Sequence, residues 1–148
     1  MRRSMGSILL MVIALALAFL ALGQQDDAPE GEEVPEVEAP LVIPDREKNR
    51  KNPYQGNARS TESGKQLFQT QCTMCHGTSG DGKGDLVDRL GLKVPDLTDP
   101  AVQKRRTDGE LYYILTNGHG EMPGEGARLS AEWRWDLVNY IRTLHKSR

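Results

Sequence analysis

The sequence predicts a helical domain over residues 57–148, and three observations carry that prediction. Gly64, Leu67, Phe68 and Cys72 recur three or four residues apart, which places them on one helical face. Thr107-Asp108-Gly109-Glu110 offers a hydroxyl at a helix start and a carboxylate three residues later, the reciprocal pattern of a capping box. Trp133, Leu137, Tyr140, Ile141 and Leu144 repeat the helical period near the end of the chain.

The net charge of −2 at pH 7 conceals an uneven distribution. Residues 1–23 carry two arginines and no acid, residues 24–56 nine acids against four bases, and residues 57–148 thirteen bases against twelve acids. A domain whose bases are matched by acids, without interleaved aromatics, excludes a nucleic-acid-binding surface. A domain of this size buries about 60–65% of its unfolded surface, which is marginal without reinforcement.

Residues 1–23 read as an export device. Arg2 and Arg3 form a positive head, residues 4–23 are uncharged, and Ala21-Leu22-Gly23 places small residues at the −3 and −1 positions of a cleavage site. The apolar heart, residues 8–22, suits a signal peptide, while the uncharged stretch as a whole just suffices to span a bilayer. Both readings stand, a cleaved signal or an N-terminal membrane anchor. The paired arginines do not have the flanks of the twin-arginine route. In either case the domain is expected outside the cytoplasm, periplasmic or on the outer face of the cytoplasmic membrane. Residues 24–56 then read as a disordered acidic linker: Asp26, Asp27, Glu30, Glu32, Glu33, Glu36 and Glu38 repel one another, and Pro29, Pro35, Pro40 and Pro44 interrupt them. It is a solvated tail or a tether, and the basic run Arg46, Lys48, Arg50 and Lys51 is expected to be solvated.

The first helix of the domain is expected to begin near Ser60 or Thr61, whose hydroxyls can cap it, with Glu62 at its positive end. Gly64 breaks helical propensity by about 1 kcal/mol against Ala unless another helix crosses closely there. The helix leads into Cys72-Thr73-Met74-Cys75-His76, which holds both cysteines of the chain. Cys-x-x-Cys-His is the attachment signature of a c-type haem. On a helix the two thiols share a face and can reach two vinyl groups of one porphyrin, and His76 follows where its imidazole can bind the iron. A thioredoxin-like dithiol needs a strand–helix–strand setting. A zinc site needs four ligands, with only His119, His145 and carboxylates left to complete it.

Four glycines within residues 77–84 make a loop, lacking the flanking strand and the Lys-Ser/Thr ending of a phosphate-binding one. Residues 85–90 suit a short helical turn. In Val94-Pro95-Asp96-Leu97, the Pro95 carbonyl is the candidate acceptor for the second nitrogen of His76, and Leu97 is expected to line the ring. Thr98-Asp99-Pro100 reads as a cap with proline at the first helical position. The capping box at Thr107 opens a helix with Leu111, Ile114 and Leu115 inward, closed by Asn117-Gly118; Tyr112 and Tyr113 are expected to pack or face solvent.

The opposite axial ligand is expected to be Met or His. Met1, Met5 and Met11 belong to the export segment, and Met74 lies between the cysteines, so Met122 remains, in the loop Gly118-His119-Gly120-Glu121-Met122-Pro123-Gly124. His119 and His145 are its rivals. The last helix is expected from Ser130, with Arg142, His145, Lys146 and Arg148 at its negative end, and Arg105, Arg106 and Trp135 stand as candidates toward the haem propionates.

Over residues 58–146 the chain resembles the monohaem class I cytochrome c family, in Gly64 and Phe68, the Cys-x-x-Cys-His motif, Val94-Pro95-Asp96-Leu97, residues 118–123 and residues 137–144. The resemblance implies an all-α fold of three to five helices around a covalently bound haem, with the first and last helices crossing near Gly64 and Tyr140. It also implies His76 and Met122 as axial ligands. The glycine-rich insertion after the haem motif and His119 beside the ligand Met depart from the family pattern. The expected function is one-electron transfer between redox protein donors and acceptors, docking weakly, with no small-molecule substrate and no enzymatic activity of its own. A haem subunit fixed in a larger membrane redox complex, and a catalytic or sensing haem with a displaceable sixth ligand, are the alternatives.

Overall fold

The computed structural model describes residues 40–145. The export segment, most of the acidic stretch, and Lys146 and Arg148 lie outside the described residues. Among those described, no helix is long and apolar enough to cross a membrane.

Pro44, at φ −58°, leads into a single helical turn, α1 (Asp45–Lys48). Asn57 caps α2 (Ala58–Gln71), its side-chain oxygen accepting from the amides of Arg59 and Ser60 at 2.9 and 3.1 Å. The chain turns at Cys72 into α3 (Thr73–His76), which Gly77 ends at φ 76°. The glycine-rich loop follows, then α4 (Asp85–Leu90) and α5 (Pro100–Lys104), the latter capped by Asp99 with Pro100 at its start. Thr107 and Glu110 form the expected capping box of α6 (Asp108–Asn117). Beyond it, β1 (Gly118–His119) and β2 (Met122–Pro123) make a two-stranded antiparallel hairpin, and Ser130 caps α7 (Ala131–Thr143). The described residues thus hold seven helical segments, of which α2, α6 and α7 exceed two turns.

The frame is the crossing of α2 and α7. A Cβ at Gly64 would overlap the backbone carbonyl of Asp136, so only glycine lets the two backbones meet at this depth. One turn further along, the rings of Phe68 and Tyr140 lie 5.3 Å apart. Phe68, Leu97, Tyr112, Leu115, Leu129, Trp135, Leu137, Val138 and Ile141 form the core. On α7, Leu137 and Ile141 are buried and Tyr140 and Leu144 pack against the core as expected, but Trp133 is 48% exposed, and it is Trp135 that is buried and stacks on Tyr112 at 4.2 Å. A buried polar seam runs beside the crossing. Ser60 and Ser63 donate to Asp136, and Asn139 donates to Ser60 Oγ (2.7 Å) and to the Tyr54 carbonyl (2.8 Å). Ser60 therefore serves the crossing, and the cap expected of it falls to Asn57.

The expected linker boundary at residue 56 is also corrected. Residues 40–56 are part of the fold: Ile43 and Glu47 are buried, and α1 packs on α6. A Cβ at Gly109 would overlap the Glu47 carbonyl, Thr107 Oγ1 donates to the Lys48 carbonyl (2.8 Å), and the Arg50 guanidinium lies 4.9 Å over the Tyr112 ring. The acids upstream dominate the composition of 24–56 and conceal this short clip. The basic run expected to be solvated is partly tied down, since Arg46 and Arg50 both pair with Glu47 at 3.0 Å.

Candidate functional site

The Cys72–His76 segment takes its shape from the end of α2. The Cys72 carbonyl accepts from the amides of Cys75 (3.3 Å) and His76 (2.9 Å), which winds the motif into one turn with both cysteines as free, half-buried thiols. Burial pushes the Cys72 thiol up to about 11; the charges of Glu125 and then Cys75 add to the effect, and Arg128 opposes it. Redox-active dithiols need the reverse, a stabilised thiolate. The only strands among the described residues are the two-residue pair after α6, so the strand setting of a thioredoxin-like motif is missing there as well. Nor do three or more His, Cys, Asp or Glu side chains of the described residues gather as a metal site of their own.

His76 is half-buried, its ring 6.2 Å from Phe68, and burial holds its pKa below the usual histidine value. Its Nδ1 is buried and has no hydrogen-bond partner. The bond expected from Pro95 is therefore not made: the Pro95 carbonyl oxygen faces Gly82, where a Cβ would stand 3.1 Å from it, and the Gly82 amide in turn donates to the His76 carbonyl at 2.9 Å. The segment reaches the neighbourhood of His76 through the backbone. Leu97 is buried in the core, its amide bonded to the Gly80 carbonyl at 2.8 Å.

Met122 lies in the hairpin that follows α6. Gly118 (φ 80°) ends the helix, and Gly120 (φ 54°) occupies the first central position of the two-residue turn, where positive φ is what a type II′ hairpin requires. The chain then returns to the helix it left. The Glu125 amide donates to the Leu115 carbonyl (2.7 Å) and the Gly126 amide to the Thr116 carbonyl (3.0 Å), satisfying two carbonyls that a helix end leaves without partners. The loop carrying Met122 is thus stapled at both ends to α6. Met122 is half-buried against the core, as is Cys72.

The structure therefore brings Cys72, Met122 and Leu97 to one apolar cluster, and sets His76 against Phe68 of that cluster. Cys75 is half-buried and Pro95 is exposed. Met74, set aside because it lies between the cysteines, is 59% exposed; of the rivals for the second axial position, His145 is exposed, with Nδ1 donating to the Arg142 carbonyl at 2.7 Å. His119 is the direct cross-strand partner of Met122, so the two share a face of the hairpin. These residues fit a covalently attached porphyrin: two thiols one turn apart, an imidazole with an orphaned buried nitrogen, and a thioether on a braced loop beside the same apolar core. Of the residues weighed toward propionates, Trp135 is buried against Tyr112, Arg106 pairs with Glu110 at 3.7 Å and Arg105 is exposed.

Sequence reasoning passed over one feature. Glu125, flanked by Gly124 and Gly126, lies close enough to Cys72 for its charge to act on the thiol, and pairs with Arg128 at 3.3 Å. Arg128 also donates to the side chain of Gln71 at 2.7 Å, next to Cys72. The two glycines were the available signal.

The family model described as "Cytochrome C oxidase, cbb3-type, subunit III" matches residues 59–141. A relative, "Cbb3-type cytochrome c oxidase subunit FixPc" of Rhizobium leguminosarum bv. viciae, is 31% identical over 84 residues, 56% of this chain and 27% of that protein. The chain spans less than a third of the length of the curated relatives it matches. Among solved structures, the KustC0563 c-type cytochrome is 27% identical with a TM-score of 0.50, covering 56% of this chain and 98% of its own. Cytochrome cL from Hyphomicrobium denitrificans, at 24% identity and a TM-score of 0.52, shares the fold over 70% of this chain and 64% of its own.

Proposed function

The chain belongs to the family described as cytochrome c oxidase, cbb3-type, subunit III, and from that premise we propose that it binds one haem c covalently and carries single electrons between redox proteins outside the cytoplasm. The haem supplies, when bound, a one-electron Fe(II)/Fe(III) couple. Cys72 and Cys75 would fasten it, and His76 and Met122 would ligate its iron. Leu97 would line the ring, and the Pro95 carbonyl remains the candidate acceptor for the second nitrogen of His76. The observation that carries this reading is the gathering of Cys72, Met122 and Leu97 on one apolar core, with His76 set against Phe68.

The arrangement suits electron transfer rather than catalysis on a substrate. With an imidazole and a thioether on the iron, no protein-free coordination position is left for a small molecule. A thioether favours Fe(II) relative to a second imidazole, so a positive potential is expected. The Met122 loop, bonded at both ends to α6, would hold the thioether in place. Partners docking for this purpose need only a small, short-lived interface.

The test is spectroscopic. The ferric protein, matured with its haem, is expected to show the far-red sulfur-to-iron band, and Met122→Ala to lose it while His119→Ala keeps it. A native protein without that band would sink the His/Met assignment, and purified protein without Soret absorbance would sink the whole reading. A second reading, a haem subunit held in a larger membrane complex, is favoured by the relatives, which are named as oxidase subunits. Fractionating membranes separates the two: a free carrier leaves with buffer or salt, and a fixed subunit leaves only with detergent, together with its complex.

A further inference from the structure

We propose that Glu125 is a positioning residue for redox potential: its carboxylate, held on the Cys72 side of the site, stabilises the ferric form of the haem and lowers its midpoint potential, with Arg128 offsetting part of the effect. This rests on the reading that Cys72 carries the haem.

Three features place the carboxylate. The backbone on either side of its Cα is fixed, since the Glu125 and Gly126 amides both bond to terminal carbonyls of α6. Its neighbours have no side chains, and none would fit: a Cβ at Gly124 would stand 2.6 Å from the Asn117 carbonyl carbon, and one at Gly126 would stand 2.7 Å from the Thr116 carbonyl oxygen. The side chain itself is only 14% exposed. A charge held this way is screened less than one on a mobile surface side chain.

Its partnering is incomplete. Oε2 is buried and makes no hydrogen bond, although the Arg128 Nε lies 3.3 Å away. Arg128 is itself drawn off toward Gln71 and is mostly exposed, so water screens its charge more than that of the buried carboxylate. Through Arg128, which donates to Gln71 at 2.7 Å, the carboxylate is tied to the residue that precedes Cys72. Loss of an electron leaves the iron centre one unit more positive, and a nearby carboxylate favours that state by ordinary Coulomb attraction.

The experiment is potentiometric titration of the full-length holoprotein followed by its visible spectrum. Glu125→Gln is expected to raise the Fe(II)/Fe(III) ratio at a fixed ambient potential by about two- to tenfold, tenfold being about 59 mV for a one-electron couple. Arg128→Gln is expected to shift it the opposite way, and the double variant to return toward the native value. Glu62→Gln, which removes the same charge from an exposed face of α2, is expected to shift it less than twofold. The proposal falls if E125Q moves the potential no more than E62Q while the Soret and far-red bands stay intact. It falls equally if E125Q loses the far-red band, because Glu125 would then act by bracing the Met122 loop. Native protein without haem would instead remove the reading beneath it. If E125Q does not fold, the direction of the R128Q shift decides.

Discussion

Single positions in this domain do work that their side-chain chemistry does not announce. Gly64 contributes nothing but the absence of a Cβ, and the crossing of α2 over α7 depends on it. Gly64→Ala is expected to destabilise the protein by about 1–3 kcal/mol, because the overlapped atom is backbone and cannot rotate away. Urea unfolding of the native protein and the variant measures this, and an unchanged midpoint would mean the helices are not held at this depth. Ser60, next to the same crossing, shows how one hydroxyl can be claimed by two structures. Its sequence position suits a cap, yet it donates to Asp136 and accepts from Asn139, 76 and 79 residues away. An unpaired buried carboxylate is the more expensive alternative, so the distant partners win.

At the scale of elements, α6 is the piece that connects the rest. Its first turn holds the clip at residues 40–56 and its last turn holds the loop that carries Met122. Thr107→Ala removes both the bond to the Glu110 amide and the bond to the Lys48 carbonyl. Loss of the cap alone is expected to lower stability by about 1 kcal/mol, read as faster hydrogen exchange at the first-turn amides of α6 and a lower unfolding midpoint. Gly109→Ala probes the clip more directly, since its Cβ would overlap the Glu47 carbonyl. Displacement of α1 is expected to make Lys48, Arg50 and Lys51 cut by trypsin several times faster than in the native protein. Equal digestion rates would show that residues 40–56 are held by other contacts.

The whole molecule is small for the number of groups it must order. Its core is built around a site whose residues, Cys72, Leu97 and Met122, are also core residues, so cofactor binding and folding are expected to be linked. Cys72→Ser with Cys75→Ser is expected to yield protein from which acidified organic solvent extracts any haem, with a reduced far-UV helix signal and an unfolding midpoint below that of the holoprotein. Retention of haem through that extraction would contradict thioether attachment. Native helix content in the unattached form would show that the polypeptide folds without it.

The sequence by itself determined what depends on neighbours within a few residues. The Cys-x-x-Cys-His spacing, the Thr107–Glu110 box, the Asp99-Pro100 start and the single methionine in a glycine-bounded loop are local matters, and each appears in the structure as its spacing implied. The hairpin was legible too in principle, from Gly120 at a two-residue turn, although so short a pair gives no alternation to read. Tertiary structure decided whatever rests on a partner far along the chain. Which tryptophan enters the core follows from the meeting of Gly64 with Asp136, which sets Trp135 inward onto Tyr112 and leaves Trp133 outside. The start of the domain near residue 40 follows from Gly109, which makes room for a clip that its own composition does not suggest. The pairing of Glu125 with Arg128, which bonds Gln71 next to Cys72, follows from the staple that returns the Met122 loop to α6. Close packing is set by which backbones can approach, and a linear sequence does not state which pairs will be asked to.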